Sequence, residues 1–125
     1  MSNPLKSLVW VAASKKDFLK FPAEAIRDMG YALYLAQSGD KPPSAKPLKG
    51  FGGASVLELV ENYDGDTYRA IYTVRFEDAV YVLHCFQKKS KSGTATPQQD
   101  IELVRSRLRT AEEEHIRWLQ KQKKR

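Results

Sequence analysis

The stretch from Tyr68 to Pro97 reads YRAIYTVRFEDAVYVLHCFQKKSKSGTATP, and its pattern of apolar residues decides the fold. From Tyr68 to Phe76, apolar and polar side chains alternate, which predicts a strand with one face in the core. Residues Ala79 to Gln87 are almost all apolar and predict a central strand that is covered on both faces. Thr96 and Pro97 predict the start of a helix, because Thr caps helices and Pro is tolerated in the first turn.

A strand and two helices are predicted upstream of this stretch. The apolar run from Leu8 to Val11 is typical of a short buried strand. Ser14, with Asp17 three residues later, predicts the cap of a short helix over residues 15–21. A second helix is predicted from Pro22 to Gln37, where apolar residues recur at helical spacing.

A loop and a β-hairpin are predicted between the second helix and Tyr68. Residues 40–53 are rich in proline, glycine and lysine, which predicts a loop inside one domain. A strand is predicted over residues 55–62. The Asp64-Gly65 pair that follows it is a strong signal for a hairpin turn into the strand that begins at Tyr68.

A long helix is predicted after Pro97, and the mostly basic residues 121–125 are expected to fray. Apolar residues of this helix step by three and four and form one stripe: Ile101, Val104, Leu108, Ala111, His115 and Trp118. The predicted order of elements is β-α-α-β-β-β-α. We therefore expect residues 1–125 to form a single α+β domain, in which helices pack on a small, mostly antiparallel sheet.

The composition favours a globular protein with an acidic partner. The formal net charge is +6 and the sequence pI is about 9.5, a balance that suits nucleic acid, a membrane surface or an acidic protein. The single Cys85 lies in an apolar run and is expected to be a core residue in a reducing cytoplasm. Because the sequence shows neither a signal peptide nor an apolar stretch of membrane-spanning length, we expect a cytoplasmic protein without a membrane partner.

Charged side chains are predicted to gather on one face of the sheet. The alternation of the strand places five side chains on its core face: Tyr68, Ala70, Tyr72, Val74 and Phe76. Arg69 and Arg75 then point away from that face. If Leu57 and Leu59 are buried, Glu58 lies on the same side of the sheet as Arg69.

Lysines extend this predicted cluster. Lys49 precedes the sheet, Lys88 and Lys89 end the central strand, and Lys91 follows in the next loop. Simpler roles remain open, because an arginine on a strand is commonly a solubilising residue and a run of lysines is commonly a solvated loop. A cross-strand pair of Glu58 with an arginine contributes only ~0.2–1 kcal/mol.

Four segments resemble one known family. They are GDTYRAIY (residues 65–72), VLHCFQKKS (82–90), the Thr96-Pro97 helix start and the lead-in PLKGFG (47–52). Together they resemble the phage-derived, HigB-type branch of the RelE/ParE toxin superfamily. The resemblance implies a RelE-like microbial RNase fold and a toxin of a type II toxin–antitoxin system. It also implies an endoribonuclease that enters the ribosomal A site and cleaves mRNA. The cognate partner is then a helix-turn-helix antitoxin, with which the toxin can form an oligomer.

The chemistry that this resemblance implies needs no metal and no cofactor. Cleavage through the 2′-OH of RNA requires a base, cations that stabilise the phosphorane, and an acid for the leaving oxygen. Arg69 matches the family's strand arginine and is assigned to the phosphate. Lys88 and Lys89 match its basic pair, and Lys89 is favoured for stabilising the charge. Glu58 is assigned as the base or as the residue that orients Arg69. The RNA backbone is assigned to four further cations: Lys46, Lys49, Arg75 and Lys91.

Two departures from the family pattern keep alternative functions open. Val60 stands where many members carry arginine, and no tyrosine or histidine is securely placed as the acid or base. His84 lies in the apolar strand and His115 lies on the helix stripe, so both are expected to be packing residues. The alternatives are a ParE-like inhibitor of DNA gyrase that acts by binding, and an inactive basic binding module. The same fold can host all of them.

Overall fold

The computed structural model describes residues 4–88 and 96–123. Its strands form one mixed sheet in the order β1-β5-β4-β3-β2. The elements within these ranges are, in chain order, β1 (Ser7–Trp10), α1 (Ser14–Phe18), α2 (Ala23–Gln37), β2 (Ala45–Pro47), β3 (Val56–Tyr63), β4 (Asp66–Thr73), β5 (Ala79–Lys88) and α3 (Gln98–Lys123).

The sheet is antiparallel except at one edge. β1 runs parallel to β5, and the helices and strands between them in the chain provide the crossover that a parallel pair requires. The other neighbouring strands are antiparallel. The predicted α+β class and the central position of β5 are therefore confirmed.

Helices cover both faces of this sheet. α1 and α2 pack on one face, against Tyr68, Ala70 and Tyr72 of β4. α3 packs on the opposite face, where Val104 lies in the same buried cluster as Ile71 of β4. The predicted stripe of α3 is buried from Ile101 to His115, whereas Trp118 is partly exposed and stacks on His115.

A β-bulge interrupts the pairing of β5 with β4. Ile71 lies opposite His84 and Tyr72 lies opposite Val82, so Leu83 is one extra residue on β5. Leu83 and His84 consequently both face α3, whereas the next residue, Cys85, faces α1 and α2. The bulge therefore determines which side chains at the end of β5 lie on the α3 face.

The hairpin turn between β3 and β4 is confirmed. Asp64 and Gly65 form its centre with φ values of 51° and 86°. Two successive positive φ values are typical of the type I′ turn that Asp-Gly favours. This turn fixes the register in which Val60 lies opposite Arg69 and Glu58 lies opposite Ile71.

The predicted loop over residues 40–53 contains a strand. Ala45–Pro47 forms the edge strand β2, in which Lys46 lies opposite Glu58 of β3. The prediction missed it because three residues give too little alternation to detect and Pro47 is a residue that strands disfavour. Proline is tolerated here because β2 is an edge strand.

Other boundaries of the sequence prediction were wrong. β4 ends at Thr73, so the predicted alternation does not reach Phe76, which packs on the α3 side against Tyr81 at a centroid distance of 5.0 Å. Ser14 does not cap α1, because its hydroxyl donates to the carbonyl oxygen of Val82 at 3.1 Å. α3 continues to Lys123, so the residues at 121–123 of the predicted frayed tail are helical, and 124–125 lie outside the described residues.

α3 has 26 residues, yet neither it nor another helix of the described ranges is apolar enough over a sufficient length to span a bilayer.

Burial of two acidic groups predicts a loss of stability at alkaline pH. Burial raises the pKa of Tyr72 from 10.0 to about 12 and that of the Cys85 thiol from 9.0 to about 12. The folded state therefore keeps protons that the unfolded chain releases. The stability that these groups contribute is complete below about pH 9 and falls as pH rises to about 12, by on the order of 3 kcal/mol for Tyr72 alone. Urea unfolding at a series of alkaline pH values measures this loss.

The variant Tyr72→Phe is the control for that prediction. The described chain offers the buried Tyr72 hydroxyl no hydrogen-bond partner, so its removal should leave stability at neutral pH nearly unchanged. The variant should lose less stability than the wild-type protein at alkaline pH. Equal losses in the two proteins would contradict the assignment to Tyr72.

Candidate functional site

Three side chains from separate segments meet on the α3 face of the sheet. Arg69 Nη1 donates to Glu58 Oε2 at 3.0 Å. The Thr96 hydroxyl donates to the same carboxylate oxygen and lies 3.5 Å from Arg69 Nη1. We call these three residues the Glu58 cluster. It joins β3, β4 and the segment that leads into α3.

The strand register brings the two charged members of the cluster together. Glu58 lies opposite Ile71, and Arg69 lies two residues before Ile71 on β4. Glu58 and Arg69 are therefore diagonal neighbours on one face, within reach of long side chains. The prediction that Glu58 shares a side with Arg69 is confirmed. Leu57 and Leu59 are buried on the opposite face, as that prediction assumed.

Arg69 is far more buried than the sequence suggested. Its side chain is 4% exposed, compared with 12% for Glu58, because α3 covers the face that Arg69 occupies. Removing a guanidinium from water is costly unless an anion accepts its hydrogen bonds, and Glu58 is that anion. The predicted contact of Arg69 with an RNA phosphate stays a prediction. In this conformation Arg69 orients Glu58.

A cleft of about 540 Å³ opens beside Glu58. Its walls are β2 with the residues that follow it and the first turns of α3. It brings together two of the predicted RNA-binding residues, Lys46 and Lys49, with Glu58. Its other lining residues are Pro47, Leu48, Gly50, Thr96, Gln98, Ile101 and Arg105.

The remaining predicted site residues lie elsewhere. Lys88 ends β5 opposite Thr67, a register position that places it on the Arg69 side of the sheet. Arg75 is not part of the cleft, and its Nη1 donates to Glu112 Oε2 at 2.7 Å on a later turn of α3. Lys89 and Lys91 lie outside the described residues.

His84 is buried and its ring nitrogens are both engaged. Its Nε2 lies 2.8 Å from Asp100 Oδ1, and its Nδ1 lies 3.3 Å from Arg107 Nη1. Arginine only donates, so Nδ1 accepts and Nε2 carries the hydrogen that goes to Asp100. Arg107 also donates to the carbonyl oxygen of Leu83 at 3.0 Å. This network fixes α3 on β5 at the bulge and leaves His84 in a structural role.

His115 is similarly engaged at the other end of the sheet. Its Nδ1 lies 3.1 Å from the Tyr81 hydroxyl and its Nε2 lies 3.1 Å from Asp78 Oδ1. The centroid of its ring lies 4.4 Å from the centroid of the Phe76 ring. The prediction that both histidines are packing residues is therefore confirmed.

Residues 16–109 match the model of the family described as phage-derived protein Gp49-like. The chain belongs to this family. The match confirms the resemblance to the phage-derived branch of the RelE toxin superfamily. No curated protein matches the chain.

Two solved structures similar to this Gp49-like protein are RelE-type toxins. A mutant of the Escherichia coli toxin RelE in the free state has a TM-score of 0.49 at 16% identity, over 66% of this chain and 82% of that one. The toxin–antitoxin complex RelBE2 from Mycobacterium tuberculosis has a TM-score of 0.46 at 17% identity, over 69% of this chain and 94% of that one.

Sequence reasoning missed two contributors to the site of this Gp49-like protein. Thr96 was interpreted only as a helix cap, whereas its hydroxyl hydrogen goes to Glu58. Arg105 was not singled out, although it follows Ile101 by four residues and so lies on the same flank of α3. That spacing was the signal available in the sequence.

The residues of the Gp49-like protein that the structure describes hold no group of three or more His, Cys, Asp or Glu side chains that could bind a metal. In this part of the chain, the chemistry of the cleft comes from one carboxylate, one hydroxyl and several cations.

Proposed function

We propose that this protein is the toxin of a type II toxin–antitoxin pair and that it cleaves mRNA in the ribosomal A site. Membership of a phage-derived family in the RelE superfamily supports the toxin role. The site of action is then the cytoplasm, and a helix-turn-helix antitoxin is the partner that blocks the toxin. The observation that carries the proposal is the Glu58 carboxylate, which is held in a fixed orientation at the edge of a basic cleft.

Glu58 is positioned to act as a general base. Arg69 and Thr96 both donate to Oε2, so the carboxylate cannot rotate freely, and Glu58 also lines the cleft. A base that is already oriented loses little further entropy when substrate binds. General-base catalysis by a positioned carboxylate typically contributes about 10²–10⁴-fold to a rate.

The proposed reaction is an internal transfer of the phosphoryl group. Glu58 takes the proton of the 2′-OH, and the 2′ oxygen attacks the adjacent phosphorus. The bond from phosphorus to the 5′ oxygen breaks, and that oxygen takes a proton from an ammonium group of the Lys88-Lys89 pair. The products are a 2′,3′-cyclic phosphate and a 5′-hydroxyl end. No metal ion or cofactor takes part in these steps.

Cations around Glu58 suit the negative charge of the phosphorane. Lys46 lies directly opposite Glu58 in the register of β2 and β3. Lys49 lines the same cleft, and Lys88 shares the sheet face with Arg69. Fixed cations that surround a developing anion stabilise it more than mobile water does.

Mapping of RNA ends after induced expression tests this function. We expect new mRNA ends within translated regions, with a 5′-hydroxyl on the downstream fragment, and no cleavage of the same mRNA when translation initiation is blocked. Changes in plasmid supercoiling without new mRNA ends would favour the gyrase inhibitor instead. The absence of both effects would favour the inactive binding module.

A further inference from the structure

Arg105 reaches from α3 to the loop that follows β2, on the edge of the cleft. Its Nη1 donates to the carbonyl oxygen of Gly50 at 2.9 Å. Its guanidinium carbon lies 4.8 Å from the centre of the Phe51 ring. A hydrogen bond and a ring contact together hold this exposed side chain in one place, whereas an exposed arginine is ordinarily mobile.

The backbone at Gly50 is shaped for this contact. Gly50 has a φ of +96°, a conformation that side-chain-bearing residues rarely adopt. A Cβ atom at this position would lie 3.1 Å from Arg105 Nη2. Glycine therefore lets the guanidinium approach the loop closely, and the half-buried Phe51 supports it from the side.

The guanidinium retains donors that can face a ligand. Within residues 4–88 and 96–123, Arg105 donates one hydrogen bond, from Nη1 to the carbonyl oxygen of Gly50. In the same ranges, its Nε and Nη2 have no hydrogen-bond acceptor. Arg105 lines the same cleft as Lys46, Lys49 and Glu58, so the cleft carries three exposed cations and one carboxylate. This excess of positive charge favours an anionic ligand.

We infer that Arg105 is a phosphate-binding residue of the cleft, with Phe51 and Gly50 as its positioning residues. The inference rests on the proposed function and names a further contact with its substrate. The guanidinium donates hydrogen bonds to the oxygens of a phosphate in single-stranded RNA. This phosphate lies next to the nucleotide whose 2′-OH contacts Glu58. A planar fork of donors matches two phosphate oxygens, which an ammonium group cannot do.

An RNA backbone fits this cleft better than an acidic protein segment. Lys46 and Lys49 lie three residues apart along β2 and the loop that follows it, and Arg105 reaches the same cleft from α3. Cations that are spaced along a groove suit a ligand whose chain carries one negative charge in each unit, as the RNA backbone does. An acidic peptide is the competing ligand that the experiment distinguishes.

Binding of an RNA that cannot be cleaved tests the inference. The probe is a short single-stranded RNA with 2′-O-methyl groups throughout, and its affinity is measured at low salt. We expect Arg105→Gln to weaken binding about tenfold, the typical effect of one charge-assisted hydrogen-bonded contact. The slope of log affinity against log salt concentration should fall by about 0.7, the value for one lost contact with a single strand.

Arg109→Gln is the matched control. Arg109 is exposed on the same helix, outside the cleft, and its replacement removes the same charge. The affinity of the Arg109→Gln variant for the RNA probe should stay close to that of the wild-type protein. Equal effects of the two substitutions would show a general loss of charge and would overturn the inference.

The positioning role of Phe51 has its own test. Phe51→Leu keeps apolar packing but removes the ring, so it should weaken RNA binding several-fold in the wild-type protein. In the Arg105→Gln background the same change should have almost no effect, because there is no guanidinium left to position. Additive effects would overturn this role. Arg105→Lys should recover only part of the affinity, because lysine lacks the fork.

These results are distinguishable from failure of the proposed function. A wild-type protein that binds the probe through Arg105 but cleaves no mRNA would contradict the nuclease and retain the phosphate site. A wild-type protein that does not bind the probe would overturn the inference whatever its activity. Binding of a polyglutamate peptide in preference to the RNA would also overturn it.

Discussion

Glu58→Gln is expected to lower the rate of mRNA cleavage on the ribosome by at least about a hundredfold, the lower range of general-base catalysis. Glutamine keeps an oxygen that can accept from Arg69 and Thr96, but it cannot take up the proton of the 2′-OH. The measurement is single-turnover cleavage on programmed ribosomes, with the folded fraction of each protein determined by urea unfolding.

Glu77→Gln is the control for this substitution. Glu77 is exposed in the turn before β5, and the chemical change is identical. Its cleavage rate should match that of the wild-type protein. A folded Glu58→Gln variant with an unchanged rate would remove Glu58 from the reaction.

Arg69→Met is expected to lower the free energy of unfolding by about 3–5 kcal/mol, the cost of leaving one charge of a buried ion pair without its partner. The side chains of Arg69 and Glu58 are 4% and 12% exposed, so water cannot replace the lost contact fully. The double variant with Arg69→Met and Glu58→Leu should recover most of that loss, because it buries no charge. Urea unfolding of the two variants and the wild-type protein measures both effects.

The pair of Arg75 and Glu112 supplies the comparison. Their side chains are 37% and 39% exposed, so Arg75→Met should cost no more than about 1 kcal/mol. Similar costs at Arg69 and Arg75 would contradict the structural role of Arg69. A loss of toxicity in an Arg69 variant therefore does not by itself identify a catalytic residue, since unfolding would have the same effect.

The order of the elements could be predicted because it depends on local patterns. Alternation in β4, the apolar run of β5, the Asp64-Gly65 turn and the stripe of α3 each specify one element without long-range information. Alternation also placed Glu58 and Arg69 on one face, since side chains in a strand point to alternate sides.

The burial of Arg69 could not be predicted in the same way. It depends on where α3 crosses the sheet, and the periodicity of a helix shows which side is buried but not what it packs against. The contact of Thr96 with Glu58 could not be predicted for the same reason, because the two residues are far apart in the sequence and only the tertiary fold brings them together. The resemblance to a toxin family assigned Arg69 to a phosphate but did not reveal the guanidinium of Arg105.

The extra residue at Leu83 lets β5 be one residue longer than its partner without changing the side on which its later side chains lie. Val82 and His84, on either side of it, already face opposite surfaces of the sheet, as neighbours in a regular strand do. Deletion of Leu83 would therefore leave Cys85 under α1 and α2 and Lys88 on the Arg69 side, at the cost of one buried apolar side chain and of the carbonyl that accepts from Arg107. An insertion in a regular part of β5 would instead reverse the side of every later residue. The bulge is thus a position at which the length of this strand can change while its end keeps its faces.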